Sequence, residues 1–417
     1  MAGGGTRRQH DLDNLRTFLT SLVILHHTAI AYGGAGSWLF KSAIFTEPSL
    51  SLLLFNAVDQ SFFMGLFFWI SGRMSALALR KTSPVEFWRG RLIRLGVPTL
   101  FYTLIIHPAT LALASPEWKI SAITQCFYNY WKSMQDVHGP VWYTATLLLF
   151  DTVSAACHRY RSQPSTERGQ HAVNLGSKYR VLGMWGLLGV SITSWVIRLW
   201  YPIGALLKVI SVQPAYLLQY MFAYKMGQLS LSMGISEMEC DETDRHESVD
   251  ARQYMPQRRL KIAVLVSTLA FHIIFIPPLI YGGSDWIIES ISQLSGGVNA
   301  TSLLYSVWNE SSFYVIGSSM VFYFRQDCNY RATSWLWQSR YSYAAFLFHA
   351  PVSVTVEIFA EMMLSWAKMK GILLESVVRS SVTPVLITMI LGGINVLTSF
   401  LLGGWLVEAL PIIQNVI

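Results

Sequence analysis

Arg16 and His27 have the residue types and the spacing for chemistry, in the stretch Asp11-Leu-Asp-Asn-Leu-Arg-Thr-Phe-Leu-Thr-Ser-Leu-Val-Ile-Leu-His-His-Thr28. They are eleven positions apart. At about 100° per residue that is roughly three turns plus 20°, so on a helix both side chains leave one face about 16 Å apart. One stripe then carries a permanent cation at its mouth and a titratable base further in. A second pair, Arg91 and Arg94, lies three apart in Phe87-Trp-Arg-Gly-Arg-Leu-Ile-Arg-Leu-Gly-Val-Pro98, which on a helix puts both on one face. Guanidiniums offer phosphates planar bidentate donors and keep their charge. The same residues also fit plain anchoring to lipid headgroups. Three cations at one rim with an imidazole several turns deeper suit a ligand with a phosphorylated head and a long reactive arm, the shape of coenzyme A.

The elements that must position these residues are membrane spans. Of 417 residues, 52% are hydrophobic and 13% charged, with a mean hydropathy of +0.38, against about 25% charged in a soluble domain. Ionisable groups inside spans are costly and mark function. Apolar segments fall at about 15–32, 51–79, 95–114, 140–157, 181–201, 214–233, 260–281, 301–324, 341–364 and 382–408. The expected fold is all-α: a polytopic bundle of about ten transmembrane helices. One membrane domain covers 11–408, between a basic tail (1–10) and a C-terminal tail (409–417). The segment 51–79 reads either as one span or as a short interfacial piece followed by a span. The acidic insertion 235–259 reads as a mobile cytosolic connector without chemistry. The first span lacks a small-residue cleavage site and is expected to stay in the protein.

Charge sets the orientation. With the N-terminus cytosolic, 21 of the 31 Lys and Arg residues fall on the cytosolic side and seven opposite, so both termini are expected inside. Asn299-Ala-Thr301 is a glycosylation sequon in a loop, 282–300, without Lys or Arg, as expected of a segment facing the lumen or exterior. The net charge of +7 resides in loops between apolar runs, which argues against a nucleic-acid partner. The four cysteines, Cys126, Cys157, Cys240 and Cys328, have neither disulfide-framework nor zinc spacing, and no metal is expected.

Five motifs in register carry a resemblance. The Arg16-to-His27 spacing, the run Phe62-Phe-Met-Gly-Leu-Phe-Phe-Trp-Ile-Ser-Gly72, Arg91-Leu-Ile-Arg94 ending at Pro98, Gly139-Pro-Val-Trp142, and Tyr341-Ser-Tyr-Ala-Ala-Phe-Leu-Phe-His-Ala-Pro351 together resemble the acyltransferase 3 family of integral membrane O-acyltransferases. The similarity runs in order across about residues 11 to 408. It implies a bundle of about ten helices that takes an acyl group, often acetyl, from acyl-CoA as cosubstrate and places it on a hydroxyl, with no permanently bound cofactor. It carries a functional role over to Arg16, His27, Arg91 and Arg94: acyl-CoA binding by the three arginines and catalysis by His27, as general base or transient acyl carrier. His349 matches a recurrent family histidine and has equal claim to a site role and to a hydrogen bond between helices. Two departures from the family pattern are Arg73, where an aromatic is usual and which is expected to alter the end of the second helix, and a fused esterase-like domain, which is not expected here.

Other polar residues in spans have duller readings that outweigh a site role. Ser71 and Gly72 are expected to serve close packing at a helix end, and Trp142 to anchor an interface, though Ser71 and Trp142 stay candidates for the site. His26 points about 100° from His27 and reads as structural or lipid-facing. His107, His272, Asp151, Glu357 and Glu361 read as helix-to-helix contacts or interface residues. The expected function is transfer of a short acyl group, acetyl first, from acyl-CoA to a hydroxyl of a small natural product. A cell-surface glycan is the alternative acceptor, and a proton-coupled transporter the alternative class.

Overall fold

The computed structural model describes residues 9–115, 119–134, 136–161, 172–232, 249–281, 292–334 and 337–409. Ten helices of 19 residues or more run through them: α1 (His10–Ala31), α2 (Leu50–Leu79), α3 (Pro84–Ala114), α5 (Trp142–Arg161), α6 (Ala172–Arg198), α7 (Pro214–Ser232), α8 (Val249–Tyr281), α9 (Ala300–Asp327), α10 (Ser339–Met369) and α11 (Thr383–Ala409). A shorter α4 (Ile120–Ser133) follows α3. Among the described residues there is no strand, only an isolated bridge between Leu207 and Val212.

By length and composition, α2, α3, α10 and α11 are apolar enough to cross a membrane. Arg16, His26 and His27 dilute the apolar run of α1, so α1 is not one of these four. Residues 51–79 form one unbroken helix instead of an interfacial piece and a span. Most of the acidic insertion lies outside the described residues, as do 1–8 and 410–417. From Val249 onward the chain is already helical, so 249–259 belongs to α8 and not to the connector.

α1 lies among four neighbours, α2, α9, α10 and α11. Its apolar side chains Leu15, Leu19 and Val23 pack into the main core, and Ile24 joins Tyr341, Ala344, Val396 and Phe400. Polar clamps fix its rotation. Asn14 donates to the carbonyls of Cys328 and Tyr330, Thr17 bonds Ser342 at 2.9 Å, and Asn395 donates to Thr28 at 2.8 Å. A helix held at three levels cannot roll, and the stripe from Arg16 to His27 is held with it.

α2 and α7 meet backbone to backbone. A Cβ on Gly72 would lie 2.0 Å from the Tyr224 carbonyl oxygen, and one on Gly227 2.0 Å from that of Trp69. Small residues at crossings are how helices approach in lipid. Gly72 therefore serves close packing, but in mid-helix: α2 continues to Leu79 past a buried Arg73, which donates to Ser230 Oγ at 3.1 Å and leaves the helix unaltered. We expect Gly72→Ala to cost about 1–3 kcal/mol, read as a lower midpoint of thermal unfolding in detergent. An unchanged midpoint would mean the crossing yields freely.

Candidate active site

His27 and His349 come together where α1 meets α10. Their rings lie 5.3 Å apart with planes 15° from parallel, and Trp38, from the loop after α1, stacks on His27 at 4.1 Å and 14°. Trp38 also lies 5.9 Å from His349, so three nearly parallel rings form one cluster. His27 is half-buried, with Nδ1 enclosed and without a hydrogen-bond partner. His349 is fully buried, and its Nδ1 sits 2.6 Å from the Phe346 carbonyl. A carbonyl only accepts, so Nδ1 carries the proton and Nε2, which has no partner, keeps its lone pair.

Trp38 is held by Glu357, whose Oε2 accepts the indole N–H at 3.0 Å. The loop bearing it is tied to α10 as well: Glu361 accepts from Ser42 Oγ and from the backbone N–H groups of Ala43 and Ile44. The loop leaves α1 through Gly33, at φ +112°, and Gly34, where a Cβ would fall 1.9 Å from Asn56 Oδ1. Only glycine allows that tight exit. Around the rings, Ser353 Oγ, Glu357 Oε1, Asn395 Oδ1, Ser399 Oγ and Tyr32 OH are buried without protein partners. Buried polar atoms in such density are completed by water or a ligand, and these lie at the end of α1 and on α10 and α11, the helices that carry and flank His27.

His26 faces elsewhere. It is buried, its Nδ1 lies 2.8 Å from Asp59 Oδ1, and Asn56 donates to its backbone carbonyl. Its role is structural, pinning α1 to α2, and the lipid-facing reading does not hold.

The arginines lie toward the other end of α1. Among the described residues the Arg16 guanidinium has no hydrogen-bond acceptor and no carboxylate partner, and Arg94 feels the positive charges of both Arg91 and Arg16. Arg91 and Arg94 do not form the matched fork their spacing predicts. The chain from Leu92 to Gly96 is a π-helix, whose wider winding carries residue i+3 off the face of residue i. Arg91 turns inward: Nε lies 3.1 Å from Asp151 Oδ2, NH2 donates to Ser75 Oγ at 3.0 Å, and the guanidinium covers the Phe87 ring. Arg94 stays exposed, its backbone carbonyl accepting from Tyr343 OH at 3.0 Å. Asp151, fully buried, also accepts from Ser75 and Tyr224 at 2.6 Å each.

Ser71 Oγ bonds Tyr143 OH at 2.7 Å, and Tyr143 feels the charges of Arg16 and Arg91, which puts Ser71 at the arginine rim and not among the imidazoles. Trp142 is half-buried against Phe68 and Tyr220, a core position in place of the expected interface anchor. Asn299 caps α9: Oδ1 accepts from the Ser302 N–H at 2.7 Å, and Nδ2 donates to the Gly296 carbonyl at 2.9 Å. His107 stacks on His138 at 5.0 Å, and His272 is exposed. No group of three potential metal ligands gathers among the described residues.

Trp38 was not singled out from sequence, and Glu357 was read only as a contact residue. A signal for Glu357 existed: His349, Ser353, Glu357 and Glu361 recur every four residues in an apolar span, a polar stripe on one face. Trp38, in a loop, gave none.

Residues 9–404 match the family model for an acyltransferase domain, that of acyltransferase 3. The chain belongs to the acyltransferase 3 family. Curated proteins similar to this acyltransferase include glucans biosynthesis protein C of Shigella dysenteriae serotype 1 (strain Sd197) and of Escherichia coli O157:H7 (strain EC4115 / EHEC) and E. coli O9:H4 (strain HS). Each is 37% identical over 94 residues, 22% of this chain and 23% of the relative. The match thus spans about a quarter of these relatives' length. No solved structure matches the chain. Family and fold together make the protein an integral membrane member of the acyltransferase 3 family.

Proposed function

We propose that this acyltransferase moves a short acyl group, acetyl first, from acyl-CoA to a hydroxyl. The observation that carries the reading is a single helix, α1, with an unpartnered guanidinium near one end and, near the other, an imidazole set against Trp38 and His349, about 16 Å apart along the axis. Arg16, Arg91 and Arg94 repel one another unless an anion lies among them, and the phosphates of acyl-CoA meet that need. Arg16 presents a free face for phosphate, Arg94 is exposed beside it, and Asp151 sets the position of Arg91. The pantetheine arm then runs along α1 and brings the thioester to His27. His27 takes the proton of the acceptor hydroxyl as its oxygen attacks the thioester carbonyl. The C–S bond breaks, and the imidazolium returns its proton to the departing sulfur. In the variant path the imidazole itself carries the acyl group between donor and acceptor.

The acceptor proposed first is a hydroxyl of a small natural product, because the stretches opposite the cytosol are expected to be short. A glucan-like acceptor is the second reading, favoured by the 94-residue similarity to proteins called glucans biosynthesis protein C.

The donor half of the proposal predicts a split in kinetics. Arg16→Ala is expected to raise KM for acetyl-CoA about 10- to 100-fold, the loss of a charged hydrogen bond, with kcat largely kept. Arg16→Lys should recover part of the loss, since it restores charge without the bidentate fork. Steady-state transfer of radiolabelled acetyl groups by purified protein in detergent reads both constants. An unchanged KM would remove Arg16 from donor binding.

A further inference from the structure

Two carboxylates one turn apart on α10, Glu357 and Glu361, hold the loop after α1, and they hold different parts of it. Glu361 grips the backbone: it accepts from the N–H groups of Ala43 and Ile44 and from Ser42 Oγ at 2.8–3.1 Å. Ser42 Oγ in turn accepts from the Ile44 and Phe45 N–H groups, so the loop is folded on itself where Glu361 meets it. Glu357, one turn closer to His349 and fully buried, grips a ring instead, accepting the Trp38 indole N–H at 3.0 Å. Docking of the loop is therefore the task of Glu361. What Glu357 adds is the orientation of one indole.

That indole is a bridge. Glu357 lies eight residues beyond His349, about 12 Å along the helix, and Trp38 reaches toward both: its N–H ends on the carboxylate, and its ring lies 5.9 Å from His349 and 4.1 Å from His27. His27 has no such tether of its own, because its Nδ1 is enclosed without a hydrogen-bond partner. A base is ordinarily aimed by a third group that bonds its second nitrogen, and without one the last torsion of a histidine is broad. Here a flat contact takes that place. The two rings lie 14° from parallel, so neither can tilt far without losing the other, and the ring that is hydrogen-bonded fixes the plane of the ring that is not.

From this chain of carboxylate, indole and imidazole, we infer that Glu357 is a positioning residue: through Trp38 it sets the ring plane in which His27 meets the acceptor hydroxyl and the thioester. Its effect on rate rests on the acyl-transfer reading, and its effect on the ring does not. Glu357 takes no proton and bonds no reactant in this scheme. What matters is an acceptor oxygen and not the charge, since an indole N–H needs one oxygen, which a glutamine amide also offers.

The test uses the full-length protein in detergent with two readouts: transfer of radiolabelled acetyl groups, and the rate at which diethyl pyrocarbonate modifies His27, followed by fragment-ion mass spectrometry. Glu357→Leu is expected to lower kcat about 10- to 100-fold, the scale of a misaimed reacting group, while KM for acetyl-CoA stays within about twofold. The same change should speed modification of His27 severalfold, because the freed indole no longer covers it. Glu357→Gln, which keeps an acceptor, should recover most of both effects. Trp38→Phe keeps a ring and loses the N–H, so adding Glu357→Leu to it should cost nothing more; by itself it covers the case in which Glu357→Leu does not fold. Three results would overturn the proposal: wild-type kcat in Glu357→Leu, equal losses in Glu357→Leu and Glu357→Gln, or unchanged His27 modification in both Glu357→Leu and Trp38→Phe. A wild-type protein that transfers no acetyl group while the modification rates still differ would sink the acyl-transfer reading and leave the positioning of His27 standing.

Discussion

His27→Ala is expected to lower acyl transfer by about 10²–10⁴-fold, the range assigned to a positioned acid–base group, while acetyl-CoA still binds within about twofold of wild type. The basis is geometric. His27 lies against the Trp38 and His349 rings at 4.1 and 5.3 Å, and the groups assigned to donor binding sit several turns away. Loss of the imidazole removes proton transfer, or the acyl-carrying nitrogen, without touching the arginine rim. Transfer from radiolabelled acetyl-CoA and donor binding by calorimetry, on one preparation, supply the two numbers. Acid-quenched wild-type protein distinguishes the paths, because label retained on the chain marks an acyl-histidine and its absence marks direct attack. Turnover retained in His27→Ala would remove this residue from the mechanism and move attention to His349, whose Nε2 lone pair faces the same cluster.

The second large effect is on stability. Asp151→Ala is expected to destabilise the protein by about 3–5 kcal/mol, the cost of breaking a buried ion pair from one side. Asp151 holds three elements at once: Ser75 on α2 and Tyr224 on α7 through Oδ1, and Arg91 on α3 through Oδ2. The Arg91 side chain keeps 16% of its surface, enough to recruit water, so the lower end of the range applies. Asp151→Asn keeps the shape and one acceptor and should lose less. Unfolding midpoints in detergent give the ranking, and a wild-type midpoint in Asp151→Ala would show that the three helices do not depend on this carboxylate. A rise in KM for acetyl-CoA should accompany the loss, because Arg91 is aimed by the residue removed.

The helices were legible in the sequence as apolar runs, α2, α3, α10 and α11 most plainly, and the Arg16-to-His27 stripe followed from helical phase alone. What escaped depends on partners far apart in the chain. Arg91 meets Asp151, and Trp38 meets Glu357; neither pairing leaves a local periodicity, since α5 and α10 set the distance. The Arg91–Arg94 fork failed for a different reason. Nothing in Leu92-Ile-Arg-Leu-Gly96 distinguishes a π turn from an α turn, and the spacing argument assumed the latter. Arg198 falls within the apolar segment 181–201, but its tyrosine cover comes from α7 and α9 and could not be read from its own helix.

The π stretches of α3, Leu92–Gly96 and Tyr102–Ile106, have one further consequence. Each is a turn that has absorbed one extra residue. Deleting a single residue between Leu92 and Gly96 would therefore let the turn relax to α winding while the parts of the helix on either side keep the faces they present now. Arg91, upstream of the turn, would keep its seat against Asp151, and Thr99 and Tyr102 theirs, while Arg94, inside the turn, would change its facing. The surplus residue is carried locally in this helix, and drift of one codon can re-aim that one cation without moving either end of the span.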